Sequence, residues 1–149
     1  MKLIDINPPV YFYVALISML LVHFVFPLLD FIRYPFTLLG VIPVVIGIIT
    51  NLITDSSFKK HNTTVKPLLD TNALITNGIF RISRNPMYLG FGLILLGIAI
   101  MLGTIFPFII AAGYMIFLDI VFIQFEEKKL ESKFGTGWLN YRSQVRRWI

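Results

Sequence analysis

Cysteine is absent from all 149 residues, which excludes disulfides, thiolate catalysis and cysteine-ligated metal sites. Charge is scarce as well. Only 14% of the chain is Asp, Glu, Lys or Arg, against 56% hydrophobic residues, a mix expected of a membrane-embedded chain rather than a soluble domain. No His/Asp/Glu cluster has metal-ligand spacing and no Ser/His/Asp arrangement is credible, so neither a metal centre nor a nucleophilic triad is expected. Internal repeats and low-complexity segments are also lacking. The net charge of +5 does not call for nucleic acid, because the basic residues flank apolar runs and can meet anionic headgroups.

What is present is a series of apolar runs of membrane length. Between Asp5 and Asp30 the one interruption is His23, and between Arg33 and Asp55 there is no charge, so each interval can hold a helix of about 20 residues. From Asn85 to Leu118 charge is again absent. As one helix, at about 1.5 Å per residue, that run would overshoot a hydrocarbon core of about 30 Å, so it must turn back, with Leu102-Gly103-Thr104 as the corner and Pro107 just beyond. The expected fold is all-α, with about four transmembrane helices: Pro9 to Leu29, Tyr34 to Thr54, Pro86 to Leu102 and Ile105 to Phe125. The first run is longer than a usual signal-peptide core and lacks a small-residue cleavage signature, so it is expected to be a span.

Eleven of the thirteen basic residues share one side: Lys59, Lys60, Lys66, Arg81 and Arg84 between the second and third spans, and Lys128, Lys129, Lys133, Arg142, Arg146 and Arg147 after the fourth. By the positive-inside tendency that side is cytoplasmic, and with four spans both termini lie there. The sequon Asn62-Thr63-Thr64 would then face the cytoplasm and stay unglycosylated. The chain reads as a single membrane-embedded domain, 1–149, made of an N-terminal hairpin (1–54) and a core (55–149).

Two polar pieces flank the second hairpin. Residues 55–83 carry Pro67, Asn72, Asn77 and Gly78 and are expected to form a folded loop with little regular structure. Residues 126–149 are expected to continue the last span to Phe134, break at Gly135-Thr136-Gly137, and resume as a short amphipathic helix from Trp138. There the pairs Leu130/Phe134 and Tyr141/Val145 form narrow apolar stripes suited to the membrane surface. Both pieces lie at one membrane face and can build one pocket. Asn85 before Pro86 reads as an N-cap and first helical residue, with the Asn side chain satisfying an orphan N–H. Glu126 and Glu127 leave the bilayer where Arg81 and Arg84 enter it; the bland alternative is a ring of interfacial pairs worth ~0–1 kcal/mol each. His23 is expected to make a helix-to-helix hydrogen bond, and Asp119 to reach the interface. Gly90, Gly92 and Gly97 suit close helix packing, not a dinucleotide fingerprint.

Leu74-Ile75-Thr76-Asn77-Gly78-Ile79-Phe80-Arg81, then Arg84-Asn85-Pro86-Met87-Tyr88-Leu89-Gly90, then Glu126-Glu127, Phe134-Gly135, Tyr141-Arg142 and Val145-Arg146-Arg147-Trp148 strongly resemble the isoprenylcysteine carboxyl methyltransferase family, related to the phospholipid N-methyltransferases. The resemblance covers Lys59 to Ile149 in order and spacing. It implies an integral membrane enzyme that binds S-adenosyl-L-methionine on the cytoplasmic side and methylates a membrane lipid or lipophilic small molecule. The cofactor roles it implies fall on Asn72, Ala73, Leu74, Ile75, Phe80, Asn85, Pro86, Met87, Tyr88 and Glu126. A helix N-terminus suits the methionyl carboxylate, Glu126 suits the amino group, and Phe80 or Tyr88 suits the adenine or sulfonium. Three residues depart from the pattern: Asn85 stands where many members have His, Phe80 where Tyr is common, and Phe122 where the eukaryotic prenylcysteine enzymes carry a substrate-binding Arg.

Such transfer relies on positioning and desolvation, and a carboxylate acceptor needs no base. An amine acceptor must lose a proton, for which Glu127 or a water held by Tyr141 is the candidate. Substrate contacts are expected at Glu127, Tyr141, Arg142 and Arg146. Two other classes fit the composition: a membrane reductase using NADPH, and a non-enzymatic four-helix scaffold or channel.

Overall fold

Paired prolines open the first helix, where a missing N–H leaves no bond unmade. The computed structural model describes residues 7–26, 30–61 and 73–149. Among these, α1 spans Pro8–Val25. A 3₁₀ turn, Phe36–Gly40, leads into α2, Val41–Lys60. A second 3₁₀ turn, Gly78–Arg81, precedes α3, Pro86–Leu102. The chain then runs through α4 (Ile105–Leu118), one π-helical turn (Asp119–Ile123) and α5 (Gln124–Phe134), which form a continuous helix, and ends in α6, Thr136–Gln144. The described residues contain no strand beyond an isolated bridge between Asp30 and Thr104. The fold is all-α.

Three helical stretches, Pro8–Val25, Phe36–Lys60 and Ile105–Phe134, are long and apolar enough to cross a membrane; Pro86–Leu102 is apolar but shorter. Their outward faces carry large apolar side chains: Ile42, Val45, Ile46, Ile49, Leu52 and Ile53 on α2 alone are each more than 40% exposed. Water would penalise that surface and lipid does not. The chain is a membrane protein.

α3 packs between α2 and α4. Against α2 the two backbones meet at two glycine pairs, Gly40 with Gly97 and Gly47 with Gly90, where an added Cβ would strike the opposing carbonyl oxygen or side chain. Gly40, which ends the 3₁₀ turn, and Gly47 of α2 are thus seven residues apart, as are Gly90 and Gly97 of α3, on the faces that meet. Helix packing is therefore the use of Gly90 and Gly97. Gly97→Leu is expected to lower stability by about 3 kcal/mol by forcing these backbones apart, read as a fall in the thermal midpoint in detergent. Gly113→Leu, where an added Cβ meets nothing within 4 Å, is expected to hold or raise it.

At the end of the bundle away from the polar pieces, Gly103 adopts φ +71° and closes α3. Its carbonyl accepts the N–H groups of Phe31 (2.7 Å) and Ile32 (2.9 Å). His23 Nδ1 lies 2.9 Å from Thr104 Oγ1, the interhelical hydrogen bond expected of it.

Three expectations change. α2 runs six residues past Thr54, to Lys60, because Ser56 and Ser57 bond back to the Leu52 and Ile53 carbonyls and Lys59 pairs with Asp55 one turn away. The break in the tail is Gly135 alone, at φ +51°, and α6 begins at Thr136, before Trp138. The stripes of the tail do not face outward: Tyr141 and Val145 are buried with Ile75, Phe80 and Trp138, and Leu130 and Phe134 pack against them. Apolar area on the residue 73–81 segment is there to receive them. Residues 62–72, including the sequon and Pro67, lie outside the described residues.

Candidate active site

A cavity with about 220 Å³ of free space opens where α1 and α3 begin, α2 ends and the α4–α5 helix leaves the bundle. Asn7, Pro8 and Pro9 form one side, Phe58 of α2 and Phe80 of the 3₁₀ turn another, and Arg84, Asn85, Pro86, Met87, Tyr88 and Phe91 a third, with Glu126 opposite. Its wall is mostly apolar. Within it the Tyr88 hydroxyl donates to Glu126 Oε1 at 2.5 Å, a charge-assisted bond that fixes the carboxylate. The two residues are 38 positions apart in sequence and are brought together because α3 and the α4–α5 helix run antiparallel.

Beside the cavity lies a cluster of four charges. Arg84 Nη2 is 3.2 Å from Glu127 Oε1, with both side chains 8% exposed, and Arg147 Nη2 is 2.6 Å from Glu127 Oε2. Arg147 Nη1 also reaches Asp119, at 3.1 Å from Oδ1 and 3.2 Å from Oδ2. The π-helical turn makes this possible. A wider turn followed by an ordinary one carries the eight positions from Asp119 to Glu127 through about two full revolutions, so both carboxylates face Arg147. Burial pulls the Arg84 guanidinium down from its usual value against the upward effect of Glu127, whereas the hydrogen bonds that Arg147 donates to Glu127 push Arg147 up.

The tail is stitched to the entrance of α3 by its backbone as well. The Arg147 carbonyl accepts from Ser83 Oγ and Asn85 Nδ2, both at 3.2 Å, and the Arg146 carbonyl accepts the Arg84 N–H at 3.1 Å. Asn85 occupies the N-cap position of α3, but its side chain caps nothing. That corrects the sequence expectation: the amide turns to Arg147, and the first turn of α3, whose Pro86, Met87 and Tyr88 line the cavity, has no side-chain cap.

Six of the ten cofactor residues expected from sequence, Phe80, Asn85, Pro86, Met87, Tyr88 and Glu126, line this one cavity. Ala73, Leu74 and Ile75 do not. Ile75 is buried in the tail core, Leu74 packs on it and Ala73 is partly exposed; Asn72 lies outside the described residues. Of the expected substrate contacts, Glu127 is held by two guanidiniums. The Tyr141 hydroxyl donates to the Phe80 carbonyl at 2.7 Å, and burial pushes it up to about 12, so it stays a neutral donor at physiological pH. Arg142 makes a long 3.5 Å pair with Glu131 at the surface, and the exposed Arg146 contributes its carbonyl. Arg81 remains exposed, apart from the charge cluster. Phe122 is fully buried against Tyr11, Tyr88 and Phe117. Sequence reasoning missed Arg147, Ser83 and the contribution of Asn7 to Pro9. A second arginine beside Arg146 was the available signal for the first, and nothing local marked the others.

An all-helical membrane protein whose apolar cavity holds a fixed carboxylate beside an arginine at one end of its helices has the makings of an enzyme for amphiphilic substrates. The family model for phospholipid methyltransferase matches residues 35–137, and the chain belongs to that family. It is a membrane methyltransferase. Comparison with proteins of curated function finds no match. The family match takes in α2, α3 and the α4–α5 helix, and leaves α1 and most of α6 outside.

Proposed function

We propose that the chain uses S-adenosyl-L-methionine to methylate a lipid or lipophilic small molecule bearing an amine or a carboxylate. The observation that carries this reading is the Tyr88–Glu126 pair, set in an apolar cavity beside the uncapped start of α3. The residues present fit such a cofactor. Glu126 accepts its ammonium, the N–H groups of Met87 and Tyr88 favour negative charge, and the rings of Phe80, Tyr88 and Phe91 suit an adenine or a sulfonium. When bound, the cofactor supplies an electrophilic methyl group. The protein positions the acceptor and excludes water. We read the whole chain as one catalytic unit, because Asn7 to Pro9 of α1 complete the cavity. Its cavity end faces the cytoplasm by the distribution of Lys and Arg.

Phe122 in the core supports an acceptor other than prenylcysteine, since an aromatic ring there cannot pair with that carboxylate. Glu127, already tied to Arg84 and Arg147, is ill-placed to take a proton from an amine. Membership of a methyltransferase family removes the ground for the reductase and scaffold alternatives. Calorimetric titration of the detergent-purified protein with S-adenosylhomocysteine tests the reading. Saturable binding, competed by S-adenosylmethionine but not by NADPH, is expected; absence of binding to folded protein overturns it.

A further inference from the structure

One side of α6 and the residue 76–81 segment enclose a second, open groove with about 490 Å³ of free space, and no residue lines both it and the cavity. Tyr141 and Val145 are its buried floor, Thr76 and Arg81 stand on one wall, and Asn140 and Gln144 on the other. Asn140 and Gln144 are one helical turn apart and so share a face of α6. The four wall residues are exposed, and among the described residues nothing bonds to their side chains. Arg81 is the charged member, and no acidic side chain among the described residues lines the groove. A guanidinium fork is thus accompanied by a hydroxyl and two amides that can all donate. Such a set suits an anion with several oxygens.

We propose that this groove binds the phosphate of an anionic phospholipid, with Arg81 as its cationic contact and Thr76, Asn140 and Gln144 as neutral donors. Position points to a lipid rather than a soluble phosphate. Ile82, beside Arg81, is 61% exposed and Leu139, beside Asn140, is 46% exposed, and large apolar side chains next to both walls suit a place against the bilayer surface. Arg81 also lies just before Pro86, where the apolar α3 begins, so it stands at headgroup depth. The tail supplies the sign of the charge. Lys133 and Arg146 are exposed, and Glu131, the acidic residue beyond Lys128, is already paired with Arg142, so the local field favours an anionic headgroup over a zwitterionic one. An occupant held from both walls ties the residue 76–81 segment to α6 and stabilises the tail by mass action. The inference stands apart from the cofactor reading above.

The test titrates the detergent-purified full-length protein with phosphatidylglycerol, with phosphatidylcholine of the same chains and with glycerol 3-phosphate, and reads bound ligand by native mass spectrometry. Phosphatidylglycerol is expected to bind about five-fold or more tightly than phosphatidylcholine, and glycerol 3-phosphate is expected not to displace it at equal concentration. Arg81→Gln keeps a hydrogen-bonding side chain and removes the charge, so it is expected to weaken phosphatidylglycerol binding about five-fold, the weight of one basic residue at a lipid surface. Gln144→Glu, nearly the same shape, places a negative charge on the opposite wall and is expected to weaken binding at least as much. Lys133→Gln removes the same charge from the tail outside the groove and is expected to change binding by less than about two-fold. Equal binding of the two lipids overturns the site. Equal losses from Arg81→Gln and Lys133→Gln also overturn it, because attraction to net charge alone would then suffice. Glycerol 3-phosphate that binds as tightly as the lipid and is lost in Arg81→Gln overturns the lipid assignment in favour of a soluble phosphate. Titration of the same samples with S-adenosylhomocysteine remains the test of the cofactor reading, so either can fail without the other.

Discussion

Glu127→Ala is expected to destabilise the protein by about 3–5 kcal/mol, the largest loss from any single side chain outside the apolar core. The substitution strands two cations at once. Arg84 would keep a nearly buried guanidinium with no counter-ion, and Arg147 would lose its shortest bond, 2.6 Å, retaining only Asp119. A buried pair adds little over a well-packed apolar substitute, yet removal of one partner costs the full desolvation of the other. Arg147 also ties the last residues of the chain to Ser83 and Asn85 through its carbonyl. Loosening it therefore frees the tail, which should appear as faster proteolysis beyond Phe134 together with a lower thermal midpoint in detergent. Two comparisons make the expectation specific. Glu131→Ala, which breaks the half-exposed pair with Arg142, should cost no more than ~0.5 kcal/mol. The double change Arg84→Met with Glu127→Leu should cost clearly less than Glu127→Ala, since nothing charged is then left unpaired. Equal losses for Glu127→Ala and Glu131→Ala would show that the cluster does not hold the tail.

The second large effect is on binding. Glu126→Ala is expected to weaken S-adenosylhomocysteine binding by about 10- to 100-fold, the range for losing a charged hydrogen-bond partner in a site of low polarity. Stability should fall by about 1–3 kcal/mol, because the buried Tyr88 hydroxyl is left without the carboxylate to which it donates. Tyr88→Phe isolates the positioning role of the hydroxyl. With the carboxylate present but free to rotate, a loss of about 1 kcal/mol, or some five-fold in affinity, is expected. Titrations of the three proteins at one pH and salt concentration decide the matter. Unchanged affinity in Glu126→Ala would remove the carboxylate from the cofactor site.

Much of the architecture was legible because the bilayer imposes simple rules. The apolar intervals around His23, between Arg33 and Asp55, and from Asn85 to Leu118 reported their helices through length and absence of charge, and Leu102-Gly103-Thr104 marked the corner, where Gly103 takes φ +71°. The start of α3 was legible from Asn85-Pro86, since Pro favours a first helical position whatever surrounds it. The fate of the Asn85 side chain was not. An N-cap bond is local, but the competing acceptor, the Arg147 carbonyl, comes from 62 residues away. The tail failed for a related reason. The four-residue spacing of Tyr141 and Val145 fixes which face of a helix is apolar, not whether lipid or protein covers it, and here Ile75 and Phe80 arrive from the preceding loop.

The sequence by itself determined that this chain is helical, membrane-embedded and polar at one end, because those properties follow from composition, run length and the side on which Lys and Arg collect. It also gathered Phe80, Asn85, Tyr88 and Glu126 as one set through their motif. Tertiary structure alone decided which neighbours the two glutamates meet. Glu126 and Glu127 are neighbours of equal chemistry, and one residue is about 100° of helix rotation. After the π-helical turn that rotation points one carboxylate at Tyr88 and the cavity, and buries the other between Arg84 and Arg147.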